Sequence, residues 1–99
     1  MANLRKEARG KPCMIRIPLV YLPGNETVVL AHYSLAGYSG KKLKSPDIMG
    51  AYACFACHNA VDGRGNQKLY THEQLRMMFA EGVMRTMVDL IENGKLRVV

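Results

Sequence analysis

Apolar and polar positions follow different rhythms along the chain, and each rhythm predicts a different element. The run Cys13-Met14-Ile15-Arg16-Ile17 is apolar and β-branched and stops at Pro18, which predicts a strand. Val20-Tyr21-Leu22 reads as a shorter strand, ended by the turn signal Pro23-Gly24-Asn25. Thr27-Val28-Val29-Leu30-Ala31-His32-Tyr33 is the strongest strand pattern, and it places His32 at its end. Residues 34–45 lose all periodicity and read as a loop of Gly and Ser that carries Lys41, Lys42 and Lys44. Ser45-Pro46-Asp47 has the marks of a helix start: a capping serine, proline at the first position and an acid in the first turn. The small residues from Gly50 to Ala53 leave open whether that helix continues or breaks before Cys54. Gly63 and Gly65 close the central stretch.

A helical rhythm follows. Thr71-His72-Glu73-Gln74 fits a capping box. Leu75, Met78, Phe79, Val83, Met87, Leu90 and Ile91 then recur at helical spacing, and Asn93-Gly94 ends the pattern. This predicts a long C-terminal helix with one core face, with Arg76 and Arg85 turned away from it, and a tail or short strand over 95–99. At the other end, residues 1–12 read as a basic arm with a short helical turn at 3–8. Its Arg5, Lys6 and Arg9 suit either a solvated terminus or phosphate contacts. Short strands, a central helix and a long last helix predict an α+β fold in a single domain, 1–99.

Composition narrows the partners. Hydrophobic residues make up 48% and charged residues 22%, which excludes a disordered chain. Lys and Arg number 14 against 8 Asp and Glu, and the net charge of +6 suits an acidic polymer such as nucleic acid, or an anionic surface. No apolar run is long enough to span a bilayer, and residues 1–13 lack the apolar stretch of an export signal. A cytoplasmic protein without a membrane partner is expected, its three cysteines being thiols or metal ligands.

The chemistry concentrates in Cys54-Phe55-Ala56-Cys57-His58-Asn59-Ala60-Val61-Asp62. Cys54 and Cys57 have the spacing of a zinc knuckle. If 57–62 is helical, His58 and Asp62 share one face, one turn apart, and can hold a second ion between them. Cys-x-x-Cys-His is also a haem attachment signature, but haem attachment generally needs export, so no haem is expected. A structural metal, a catalytic metal and three packed thiols stay open on the residues alone.

A strand ending in His32, a glycine loop and a helix bearing His58 and Asp62 resembles the HNH, or ββα-metal, nucleases. More closely, the chain resembles the YbcO-like nucleases encoded by prophages over nearly its full length. That resemblance rests on Asn3-Leu4-Arg5-Lys6, Pro12-Cys13, Val29-Leu30-Ala31-His32, Pro46-Asp47, Ala53-Cys54-Phe55-Ala56-Cys57-His58 and Ile91-Glu92-Asn93-Gly94-Lys95-Leu96. It implies a small ββα-metal core with N-terminal short strands and a long C-terminal helix. It also implies a bacterial, prophage-encoded endonuclease that hydrolyses DNA phosphodiester bonds with Mg²⁺ or Mn²⁺.

Position by position, the resemblance puts His32 at the general base, His58 at the helix metal ligand and Asp62 at a second ligand. It puts Cys54 and Cys57 on a structural zinc pair to which Cys13 can add a thiolate; three thiolates do not close the site, which leaves open a fourth ligand such as His72 or a water, or three buried thiols without metal. Arg64 is the candidate for stabilising charge in the transition state. Arg5, Lys6, Arg9, Lys41, Lys42 and Lys44 are the candidates for phosphate contact. Two positions depart from the family pattern. Met49 stands where an asparagine is expected, with Asp47 nearby either to orient His32 or to cap a helix, and Tyr21 stands where a further thiolate is expected. The alternative function is a non-catalytic zinc module that binds DNA.

Overall fold

The computed structural model describes residues 3–35, 45–64 and 67–97. They form a small α+β structure. Its elements are α1 (Leu4–Glu7), β1 (Val29–His32), a 3-10 turn (Asp47–Met49), β2 (Gly50–Ala53), α2 (Phe55–Val61) and α3 (His72–Glu92). Among the described residues the sheet has two antiparallel strands, with Val29 opposite Ala53 and His32 opposite Gly50. All four residues of β2 are buried, so this strand lies at the centre of the core.

α3 packs on β2 through small and polar residues as well as apolar ones. Its buried positions are Leu75, Phe79, Gly82, Thr86 and Leu90. The Thr86 hydroxyl donates to the Gly82 carbonyl at 2.8 Å and accepts from the Tyr52 N–H at 3.0 Å, which satisfies the open edge of β2. At Gly82 a Cβ would stand 2.9 Å from a side-chain carbon of Ile15 and 3.0 Å from its Cα, so only glycine allows the helix to come this close. The expected stripe therefore runs off line at its end. Met78 and Val83 pack at the margin of the core, and Ile91 is exposed.

The caps are those the sequence predicts. Thr71 and Gln74 exchange both bonds of a capping box. At the far end Gly94 takes φ 71°, the Lys95 N–H bonds the Leu90 carbonyl and the Gly94 N–H bonds the Ile91 carbonyl. That is a Schellman motif, and it folds 95–97 back on the helix rather than into a strand. Asn3 caps α1 through the Lys6 N–H, and Ala8 is wholly buried, so the basic segment docks on the fold instead of trailing from it.

The N-terminal short strands do not form. Residues 13–17 touch β2 through a bond from the Met14 N–H to the Tyr52 carbonyl at 2.7 Å, and Arg16 then turns to φ 55°. Residues 18–20 are a turn, with Leu19 at φ 65°. The physical reason lies in the sulfur atoms that this segment wraps. The expected helix at Ser45 is also shorter. Ser45 donates its hydroxyl to the Tyr33 carbonyl at 2.6 Å instead of capping, a 3-10 turn follows, and the small residues from Gly50 to Ala53 pair as β2.

Candidate functional site

Cys54 is the N-cap of α2 and Cys57 lies one turn along, so the start of this helix presents two sulfurs to the segment that carries Cys13. The three buried sulfurs lie within 4.8 Å of one another. Sulfurs sharing a zinc at about 2.3 Å stand about 3.8 Å apart, so the triad suits such an ion with little movement. Backbone N–H groups are turned onto it: Arg16 donates to Cys13 Sγ at 3.5 Å and Leu22 donates to Cys54 Sγ at 3.3 Å. Donors of this kind favour thiolates. The bond from Cys57 pulls Cys13 down to about 5, against the opposing effect of burial. The same bond pushes Cys57 up, and burial adds to it. The left-handed backbone at Arg16 and Leu19 is strained, and it lies in the segment whose amides face sulfur. Three thiolates leave one tetrahedral position. His72 does not fill it, because among the described residues the ligand cluster holds only the three cysteines. Cys54 and Cys57 have no exposed surface, so haem cannot reach them without unfolding the start of α2.

A second centre forms at the other end of the strand pair. The 3-10 turn aims Asp47 at the end of β1, and His32 Nε2 lies 2.7 Å from Asp47 Oδ1. Arg5 Nε reaches the same oxygen at 3.4 Å. Asp47 lies in the first turn, after the N-cap Pro46, and its carboxylate meets the histidine. The His32 bond is the main cause that holds its carboxyl below the ordinary carboxylate range; burial opposes it, and the Arg5 charge adds a smaller lowering. A carboxylate acceptor assigns the ring hydrogen to Nε2 and leaves the Nδ1 lone pair as the basic site.

The third centre lies on α2. His58 Nε2 is 3.2 Å from Asp62 Oδ2, and Arg64 reaches that oxygen at 3.7 Å. The helix ends at Val61, with Asp62 as its C-cap, so the expected one-turn spacing holds. Beside Asp62 a cleft of about 270 Å³ opens between α2 and the start of α3, with His72, Tyr70 and Leu75 on its walls.

His32 and the His58–Asp62 pair remain two separate pairs. Among the described residues their ligand atoms do not gather into one cluster. Lys6 and Arg9 are exposed, whereas Arg5 is tied to Asp47. Lys41, Lys42 and Lys44 lie outside the described residues. Arg85 donates to the Met14 carbonyl at 2.7 Å, and Arg76 sits 4.6 Å over the Tyr33 ring, so both arginines brace the fold. The residues that sequence reasoning missed are backbone donors, Arg16 and Leu22, and the tie from Arg5. No side-chain pattern announces a backbone N–H aimed at sulfur.

Comparison with known proteins places these centres in a family. Residues 2–95 match the family described as "Putative nuclease YbcO". The chain is 39% identical over 97 residues to "Putative nuclease YbcO" of Escherichia coli, covering 98% of this chain and 99% of that one. The same identity and coverage hold for "Putative nuclease ybcO" of Enterobacteria phage 82. A solved structure, described as that of a putative bacteriophage protein from Escherichia coli, aligns with a TM-score of 0.75 and 35% identity, over 93% of this chain and 100% of that one. No helix among the described residues is long and apolar enough to cross a membrane. The chain belongs to the YbcO family.

Proposed function

We propose that this chain is a metal-dependent endonuclease of the HNH type, which hydrolyses phosphodiester bonds of DNA during phage or prophage DNA processing. The names of its relatives support a nuclease. The observation that carries the mechanism is the 2.7 Å contact between His32 and Asp47, which leaves Nδ1 of His32 as the base. In this reading water attacks phosphorus as its proton passes to Nδ1. The bond to the 3′-oxygen breaks, and that oxygen takes a proton from solvent. Asp47 keeps the imidazole oriented and stabilises the imidazolium that forms, and Arg5 steadies Asp47.

His58 and Asp62 are the residues that would hold Mg²⁺ or Mn²⁺. Their separation of 3.2 Å suits neighbouring ligands of an octahedral ion, which stand about 3.0 Å apart at bond lengths near 2.1 Å. An ion held there would supply Lewis-acid stabilisation of the charge that develops in hydrolysis. Arg64 adds a positive charge beside Asp62. The two pairs are separate, so a phosphate cleaved here would have to reach both His32 and the residues that would hold the ion. Zinc on Cys13, Cys54 and Cys57 has a structural role in this reading, pinning α2 to the N-terminal segment.

One observation favours the second reading, a zinc module that binds DNA without cutting it: the most tightly gathered ligand set is the cysteine triad. Plasmid incubated with the protein and Mg²⁺ or Mn²⁺ separates the two. The nuclease gives nicked and linear DNA, and EDTA stops it. The zinc module shifts the plasmid in a gel and leaves it supercoiled.

A further inference from the structure

The face of α3 opposite the core is apolar. Met77, Met84, Val88 and Ile91 are 66%, 61%, 52% and 41% exposed, with Ala80 at one edge of the stripe and Glu81 at the other. Together the four large side chains expose roughly 400 Å², within the range of the largest apolar patch on a typical monomer, which is often functional. The core face of the same helix runs through Leu75, Phe79, Gly82, Thr86 and Leu90, about half a turn away. The outer stripe therefore lies away from the core, though its own chain covers part of each side chain.

The stripe is symmetric about Met84. Met77 lies seven residues before it and Ile91 seven after; Ala80 lies four before and Val88 four after. We propose that this face binds the same face of a second copy of the chain, as an antiparallel helix pair with its two-fold axis at Met84. Such an interface needs one patch that complements itself when reversed, and this stripe does. Met84 meets Met84 of the second copy, Met77 meets Ile91, and the small Ala80 meets the branched Val88. Met77, Met84 and Ile91 keep the seven-residue interval that holds a seam between paired helices.

Charge and area agree with this occupant. α3 carries four carboxylates, Glu73, Glu81, Asp89 and Glu92, against two guanidinium groups, Arg76 and Arg85. The +6 of the chain therefore resides elsewhere, and two copies meet here with their basic surfaces turned away from each other. Glu81 and Arg85 form an ion pair at 3.2 Å on one flank of the stripe, and the two-fold brings each Glu81 close to the level of the Arg85 of the other copy. Two stripes face to face hide roughly 800 Å², and the aliphatic stems on the flanks bring the contact toward the ~1,200 Å² of a small specific interface. A dimer that dissociates at micromolar concentration is expected.

Sedimentation equilibrium over a concentration series, and oxidation of variants with one added cysteine, test this. The wild-type mass should rise from monomer to dimer, and Met84→Glu should stay monomeric with unchanged circular dichroism. Met84→Cys should form a disulfide-linked dimer, because it faces itself across the axis. Met77→Cys alone should not, since its two copies stand roughly 21 Å apart along the pair. The native thiols are buried and do not compete. A wild type that is monomeric throughout, or equal cross-linking at residues 77 and 84, overturns the proposal.

Discussion

In the proposed mechanism Asp47 decides what His32 is able to do. Its carboxylate lies 2.7 Å from Nε2, so the ring presents Nδ1 as its base. Asp47→Asn removes the charge and lets the amide dictate the other tautomer. In the proposed mechanism it should lower the cleavage rate ~10–100-fold, the usual worth of a partner one bond removed from the chemistry. The carboxyl is depressed in the folded state, first by His32 and then by Arg5. A depressed carboxyl adds stability above its unfolded pKa and loses it as pH falls through the folded value. The melting temperature of wild type should therefore exceed that of Asp47→Asn at neutral pH, and the gap should narrow below pH ~4. A constant gap in a thermal melt series would detach Asp47 from this role. The thiols make a second residue-scale case. If Cys13, Cys54 and Cys57 share a zinc, purified protein should carry about one zinc per chain, and Cys54→Ser should release it and lower the melting temperature. Metal analysis of the two proteins decides it.

At the scale of elements, Gly82 shows propensity and packing in conflict. Within an exposed helix Gly→Ala stabilises by about 1 kcal/mol. Here the new Cβ would press on the backbone of Ile15 at about 3.0 Å, so Gly82→Ala should instead destabilise by ~1–3 kcal/mol in a urea melt. The sequence revealed the elements whose signals are local. The α3 cap, the end at Gly94, the strand into His32 and the one-turn spacing of His58 and Asp62 are all set by neighbours within four residues. It misread 13–22, where apolar β-branched residues imply strands, because the backbone there serves the sulfurs of Cys13 and of Cys54, which arrives from α2. It also missed β2, since Gly50-Ala51-Tyr52-Ala53 has weak strand propensity and is held by pairing with β1 and by Thr86. The Asp47–His32 bond spans fifteen residues and was legible only as one of two alternatives.

The whole molecule joins a basic surface to two histidine–carboxylate pairs and a cysteine triad. The charge of +6 predicts salt-dependent binding to nucleic acid. If Lys41, Lys42 and Lys44 meet phosphates, replacing all three with glutamine should weaken binding to every DNA sequence alike and flatten the slope of log affinity against log salt by up to ~3. An unchanged slope in a filter-binding series would assign the contacts to other cations, such as the exposed Lys6 and Arg9. Cleavage itself is the central claim. The most direct measurement compares plasmid nicking by wild type, His32→Ala and His58→Ala, with DNA affinity and Mn²⁺ affinity measured on the same samples. Wild type should nick in Mn²⁺ and stop with EDTA. His32→Ala should keep metal and DNA affinity and lose ~10²–10⁴-fold in rate. His58→Ala should lose metal affinity and regain part of its rate in excess Mn²⁺. Wild type that leaves the plasmid supercoiled, or a His32→Ala protein that cuts as fast as wild type, would contradict the account.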